Sequence, residues 1–301
     1  FEGELSLGLP NSWSVEPKFH QVKLTQNGEV QSFDFSITPP KETQKITVNA
    51  VIKYVNTKYS KYIKTLDYDH IPKQIYTKPA QSSLVNINVK NTVQNIGYIK
   101  GAGDKVPENL KSLGLKVENI NLKNIYSVED LKNFDAIMLG IRAYNTQDQL
   151  VTKNEILFDY VEQGGTLITQ YTTTYGLLTD KISPLNMHLS RKRVTDEEAE
   201  VEFINPSHQV LNYPNKITAQ DFEGWVQERG LYFPDKWAED FTPIFKIQDY
   251  DDEPTYGSLL IAKYGKGYYV YTGLGFFRQL PAGVPGAFRL MSNLLSIKSN
   301  E

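Results

Sequence analysis

Four short segments of this 301-residue chain carry side chains that could hold a ligand, and each follows a run that reads as a strand. They are Lys100, then Gly140-Ile141-Arg142-Ala143-Tyr144-Asn145, then Gln170-Tyr171-Thr172, then Gly273-Leu274-Gly275-Phe276-Phe277-Arg278. In open α/β sheets ligands sit outside the carboxyl ends of the strands, where these segments fall. Arginine presents a planar fork of donors suited to a carboxylate, a phosphate or a sugar diol. The alternative is an internal salt-bridge network that closes the crevice with Glu or Asp from the stretch 176–255. A second candidate is Asp221-Phe222-Glu223-Gly224-Trp225-Val226-Gln227-Glu228-Arg229-Gly230. Trp225, flanked by Glu223, Glu228 and Arg229, could form a platform for the apolar face of a sugar. Equally, Trp225 could only pin its segment to the body. Arg191 and Arg193 come from the basic run His188-Leu189-Ser190-Arg191-Lys192-Arg193; such a run is ordinarily a solvated face.

Other chemistries find less to work with. Asp221 with Glu223 or Glu228 could do acid–base work, but 35 acidic residues make any one pair weak as a signal. Asp249, Asp251, Asp252 and Glu253 lack the glycine and spacing of an EF-hand loop. His20, His70, His188 and His208 fall at no metal-ligand spacing; His208 reads as a turn or capping residue. Gly101-Ala102-Gly103 resembles part of a dinucleotide fingerprint, but the third glycine position is Val106, so a tight turn is expected. There is no cysteine, which removes disulfides, thiolate zinc sites and cysteine nucleophiles. No catalytic residue, metal or cofactor is expected.

The elements that must position these residues fall into two halves. Residues 1–92 read as an all-β, immunoglobulin-like sandwich, with alternating runs at 21–25, 32–37, 45–54, 62–68 and 84–89. Residues 93–301 read as a three-layer α/β domain of flavodoxin or amidotransferase type with a mostly parallel sheet. Strands are expected at 96–99, 116–122, 135–139 and 166–170, with helices at 105–113 and 154–162 between them. Thr152 with Glu155 reads as a capping box, and Ser127, with Asp130 three residues on, as a cap before a short helix. The stretch 176–255 reads as a long irregular insert. After it, Gly265-Lys266-Gly267 marks a hairpin, and Pro285 opens a terminal helix.

Composition is that of a globular protein, at 40% hydrophobic and 22% charged. Net charge is −3, from 32 basic and 35 acidic residues, which gives no global support for a nucleic-acid partner. No run approaches the roughly 20 apolar residues of a membrane span, so no membrane partner is expected. The chain begins at Phe1 and reads as an excised piece of a longer protein or a mature product.

Several motifs together resemble the C-terminal region of long bacterial PIG-L (LmbE-like) deacetylases. They are Arg191-Lys192-Arg193-Val194-Thr195-Asp196-Glu197, Asn205-Pro206-Ser207-His208, the run from Gly224-Trp225 through Gly230-Leu231-Tyr232, Gly267-Tyr268-Tyr269-Val270-Tyr271-Thr272-Gly273, and Phe277-Arg278-Gln279-Leu280-Pro281-Ala282-Gly283. The second half also resembles the class I glutamine-amidotransferase-like fold, as in ThuA-like and β-galactosidase trimerisation-like domains, through Gly164-Gly165-Thr166-Leu167-Ile168 and the closing hairpin. Trp13-Ser14-Val15-Glu16-Pro17 and Phe35-Ser36-Ile37-Thr38-Pro39-Pro40 resemble a β-sandwich found beside glycoside-processing domains.

The family's catalytic domain implies zinc-dependent N-deacetylation of N-acetylglucosaminyl substrates, yet its His-Pro-Asp-Asp-type metal motif is absent here. The amidotransferase nucleophile is absent too, its crest offering Tyr171 and Thr172. The resemblance therefore implies an accessory, non-catalytic region in the periplasm or outside the cell, holding an N-acetylated sugar or glycan or positioning the parent's catalytic domain. A homo-oligomeric scaffold and a cryptic hydrolase are the rivals.

Overall fold

Short alternating runs in the first 88 residues form nine strands: β1 Glu2–Gly8, β2 Ser14–Glu16, β3 Phe19–Lys23, β4 Ser36–Thr38, β5 Gln44–Tyr54, β6 Thr57–Tyr59, β7 Lys61–Leu66, β8 Gln74–Pro79 and β9 Gln81–Asn86. The structure is a computed structural model that describes residues 1–298. It divides into two compact units, Phe1–Asn88 and Val89–Glu301, of which the last three residues lie outside the described part.

The first unit is all-β. β1 runs antiparallel between β3 and β5, and the far edge of β5 is shared by β9 and β6. β2 pairs with β4, and β7 with β8. The sequence reading missed β1, although Gly3, Leu5 and Leu7 alternate there with Glu2, Glu4 and Ser6. Few side chains are buried: Trp13, Val15, Val22 and Val48. The Trp13 indole donates to Gln44 Oε1 at 3.0 Å. The β7–β8 ribbon leaves Ile63 and Ile75 69% and 66% exposed.

In the second unit the strands are β10 Asn95–Ile99, β11 Lys116–Asn119, β12 Ala136–Leu139, β13 Thr166–Gln170, β14 Met187–Val194, β15 Val201–Phe203, β16 Gly230–Trp237, β17 Phe241–Pro243, β18 Phe245–Ile247, β19 Leu259–Tyr264 and β20 Gly267–Thr272. The helices are α1 Val106–Ser112, α2 Ala143–Thr146, α3 Leu150–Glu162, α4 Phe276–Gln279 and α5 Pro285–Leu295. One sheet runs β11-β10-β12-β13-β20-β19-β17. Its first five strands are parallel, and β19 and β17 add antiparallel. β12, a continuous apolar run, and β13, which carries Thr166, Thr169 and Gln170, are buried along their whole length, as strands covered on both faces are. Leu150, Leu157, Phe158 and Val161 of α3 share one core cluster with Ile137, Leu139, Leu167, Tyr269 and Tyr271.

Two expectations need correcting. α3 begins at Leu150, so Thr152 lies inside it, and its hydroxyl donates to Gln149 O at 3.2 Å instead of capping the helix. The stretch 176–255 is not without elements: β14 pairs with β16, β15 pairs with β18, and β17 joins the main sheet, with irregular chain between them. β14 was hidden because its register slips at three places and only Leu189 and Val194 among its eight residues are buried. The apolar alternation that announces a strand is therefore broken.

A buried polar network ties the start of this unit to its end. Asn215 exchanges hydrogen bonds with the Lys90 backbone at 2.9 and 3.0 Å. Asn293 Nδ2 donates to Val210 O and Asn215 O, both at 2.7 Å, and its Oδ1 accepts from Asn215 N at 2.9 Å. Ser292 reaches Lys90 O at 2.7 Å. With these donors and acceptors paired inside, the network costs little to bury.

Candidate functional site: an arginine and tyrosine patch at the sheet crest

The carboxyl ends of the parallel strands do not form one continuous crevice. After β10, the Gly101 turn lies against the crest of β12: Ala102 N donates to Ile141 O at 2.8 Å, and a Cβ on Gly101 would stand 2.0 Å from that oxygen. Asp104 locks the two crests together. Its carboxylate accepts from Tyr98 Oη at 2.7 Å, Val106 N at 2.9 Å and Ile141 N at 3.3 Å. Burial, reinforced by Asp104, pushes the Tyr98 phenol far above its ordinary range, so it stays a proton donor. The place where strand order reverses is thus filled by protein, and the ligand-accessible ground shifts to β13 and β20.

Tyr171 follows β13 directly. Arg142, three residues beyond β12, is held against it by a 2.8 Å bond from Arg142 N to Tyr171 O. α4 brings Phe277 and Arg278 after β20. The start of β16 crosses the same crest, with Leu231 N donating to Gly273 O at 2.9 Å. Only glycine fits at this crossing: a Cβ on Gly230 would meet Gly273 O at 2.2 Å, and one on Gly273 would meet the Phe233 ring at 2.4 Å. The crossing delivers Glu228 and Tyr232 to the patch.

Tyr171 and Tyr232 stack with centroids 6.0 Å apart and planes 9° apart; Phe277 lies 5.2 Å from Tyr171. Arg193 sits 6.0 Å from the Tyr232 ring centre and Arg278 4.7 Å from that of Phe277. Arg278 Nε donates to Glu228 Oε1 at 2.6 Å, and the Glu228 side chain is 11% exposed. Arg142 and Arg193 are exposed, and among the described residues no carboxylate lies within ion-pair distance of either. Burial raises the Tyr171 pKa, against which the Arg142 and Arg278 cations pull, so at neutral pH this phenol is a neutral hydroxyl. The patch can donate to a ligand from two forks and a phenol.

Arg142, Tyr171, Arg193, Glu228 and Arg278 are therefore brought together. The other predicted residues are not. Lys100 is exposed beyond the closed β10 crest, and Arg191 is exposed on β14. Tyr144 is buried, its hydroxyl bonded to Asn154 at 2.9 Å. Thr172 is fully buried and donates to Asn145, whose amide holds the backbone of Thr173 and Tyr175. These three shape the loop after β13.

The expected sugar platform is a plug. Trp225 is 4% exposed, its indole donates to Asp221 O at 3.0 Å, and its ring packs on Phe222 and Phe276, so only a small edge of it reaches the depression it lines with Phe222 and Arg229. Arg229 lies 5.7 Å from both the Phe222 and Trp225 ring centres, and its Nε and Nη2 donate to Ala199 O at 3.0 and 2.8 Å. Asp221 is committed to Arg289 at 2.7 Å and to Thr218 N at 2.8 Å, leaving it no proton-transfer role. Glu223 is exposed on the rim of a shallow depression with Glu197, Glu198 and Glu200.

The sequence reading left Tyr232 and Phe277 out of the site. Phe277 stood in one of the crest segments and could have been included. Tyr232 could not, because only the crossing of β16 places it there.

No protein-family model matches the chain, and none of the curated proteins matches it. Among solved structures, a cytoplasmic protein from Salmonella typhimurium is 15% identical with a TM-score of 0.47, over 68% of this chain and 100% of that one. A protein from Bacteroides uniformis described as ThuA-like is 14% identical with a TM-score of 0.42, over 71% and 96%. A β-galactosidase from Rahnella sp. R3 is 15% identical with a TM-score of 0.42, over 68% of this chain and 31% of that one. The structural neighbours thus include a ThuA-like protein and part of a β-galactosidase.

Proposed function

We propose that the chain is a non-catalytic binding module whose patch around Tyr171 holds a carbohydrate. In this reading it is the accessory region of a PIG-L-like N-acetylglucosaminyl deacetylase, working in the periplasm or outside the cell. Its first unit is an immunoglobulin-like sandwich and its second an amidotransferase-like domain without the nucleophile. The observation that carries the binding role is backbone conformation. Arg142 and Tyr232, which bracket Tyr171, are both left-handed, with φ of 56° and 55°, and the chain has only five such non-glycine residues among those described. Such conformations cost about 1–3 kcal/mol each and gather where a ligand site must be pre-shaped.

Thermal shift and calorimetry of the chain against N-acetylated oligosaccharides test the reading. A ligand at about 100 times its dissociation constant adds roughly 2.7 kcal/mol of stability. Arg142→Ala should remove that gain while leaving unliganded stability nearly unchanged. A glycan shift that survives Arg142→Ala would place binding elsewhere.

A second reading, a scaffold that oligomerises, draws on the β7–β8 ribbon. An isolated two-stranded ribbon is marginal in water, and this one exposes Ile63 and Ile75. Sedimentation would show a concentration-dependent mass that Ile63→Lys abolishes. Of the hydrolase rival's carboxylates, Asp221 and Glu228 are held by arginines, and Glu223 is exposed.

A further inference from the structure

The patch carries an electrostatic imbalance that a neutral sugar would leave in place. Three guanidinium groups, from Arg142, Arg193 and Arg278, face one carboxylate, Glu228, which is taken by Arg278. The imbalance is local. The whole chain is net negative, and the same insert holds Asp196, Glu197, Glu198, Glu200 and Glu202. Two other cations of this unit are paired: Arg289 with Asp221 at 2.7 Å and Lys246 with Glu202 at 2.6 Å.

The aromatic surface is also less available than the residue types suggest. Tyr171 is 8% exposed, with Tyr232 and Phe277 as its ring neighbours, and those two rings carry Arg193 and Arg278 near them. Stacking a pyranose here would compete with guanidinium groups already in place. What remains open is donor capacity: two arginine forks without carboxylates, and the Tyr171 hydroxyl, which has no hydrogen-bond partner among the described residues. A planar fork matches a carboxylate or phosphate in bidentate fashion.

We infer that the ligand is an acidic sugar whose oxyanion, a carboxylate or a phosphate, is bound by Arg142 beside the Tyr171 hydroxyl, with Arg193 adding its charge from beside the Tyr232 ring. The inference rests on the carbohydrate-binding reading and narrows it. The phenol, kept neutral by burial, donates to the same oxyanion. Arg278, neutralised by Glu228, positions Phe277 and shapes the edge of the patch.

Calorimetry of the whole chain at low and high salt tests this with three probes: an N-acetylglucosamine disaccharide, a glucuronate-containing disaccharide of the same length, and N-acetylglucosamine 6-phosphate. At least one acidic probe should bind tenfold or more tightly than the neutral one and weaken with salt. Arg142→Ala should weaken it about ten- to a hundredfold, the range for losing a charge-assisted bond, and Arg193→Ala should weaken it by less. Arg191→Ala, on the same strand but outside the patch, should not. Preference for the glucuronate identifies a carboxylate, preference for the phosphate identifies a phosphoryl group, and either supports the inference. Equal binding of neutral and acidic probes, insensitive to Arg142→Ala, would overturn the inference and leave the carbohydrate reading standing. No binding by any probe would overturn both. Arg193 is exposed on its strand, so its variant remains informative should Arg142→Ala fold poorly.

Discussion

Arg229 and Arg142 both belong to arginine and aromatic clusters of the second unit, and the two clusters use the same residue types to opposite ends. Arg229 is 5% exposed, lies by Phe222 and Trp225, and gives its donors to the carbonyls of Ala199 and Phe222. Burial lowers its pKa, while Asp196, Glu197 and Glu198 pull the other way, so it remains a cation satisfied by backbone. Arg142 is exposed and left-handed, beside Tyr171, with its guanidinium free of carboxylates among the described residues. A closed cluster of this kind holds the fold; an open one leaves its donors unused by the fold. What separates them is whether main-chain carbonyls have been folded against the guanidinium.

The largest expected effect would come from opening the closed cluster. Arg229→Ala leaves two buried carbonyls without donors and removes the packing on two rings. It should cost about 3–5 kcal/mol in urea unfolding. Arg229→Lys, which keeps the charge but loses the fork, should cost about 1–2 kcal/mol. A loss under about 1 kcal/mol for the alanine variant would erase the distinction between the clusters. Next comes Asn293→Ala, which strips partners from Asn215 and from Val210 O in the network binding α5 to residues 90–91. About 2–4 kcal/mol should be lost, with no change in ligand binding.

The open cluster should respond the other way. Arg142→Gly releases a left-handed side-chain residue, so stability should hold or rise by up to about 1 kcal/mol while binding disappears. A stability loss above about 1 kcal/mol would make Arg142 a structural residue after all. The smallest effect is a pH slope. His208 Nδ1 accepts from Val210 N at 3.2 Å, and burial lowers the His208 pKa below its ordinary 6.5. The unfolded chain therefore takes up this proton first. The contribution is whole above about pH 6.5 and is lost as pH falls through the lower folded value. His208→Asn, which keeps an acceptor for Val210 N, should flatten the slope between pH 7 and 5 in thermal melts.

Much of the parallel sheet was legible because its signals are local. Asp135 opens a short apolar run that is strand, Gly265-Lys266-Gly267 turns a hairpin, Pro285 starts a helix, and Ser127 with Asp130 makes a capping box. β14 was not legible, because its exposed polar residues and register slips erase the alternation, nor was β16, which carries Pro234 inside it. The candidate site was half legible: four crest segments pointed to Arg142, Tyr171 and Arg278, but Lys100 stood among them with equal weight.

The sequence by itself determined where β10, β12, β13 and β20 end, that no cysteine stands at any crest, and that arginines and tyrosines follow those ends. Hydrophobic period and turn residues act over a few positions, so they survive reading without a fold. Only the tertiary structure decided which arginine is closed and which is open. Ala199 reaches Arg229 across 30 residues, Tyr232 reaches Tyr171 only because β16 crosses two glycines, and Asp104 shuts Lys100 out by bonding to Ile141. Those contacts depend on chain paths that no local pattern encodes.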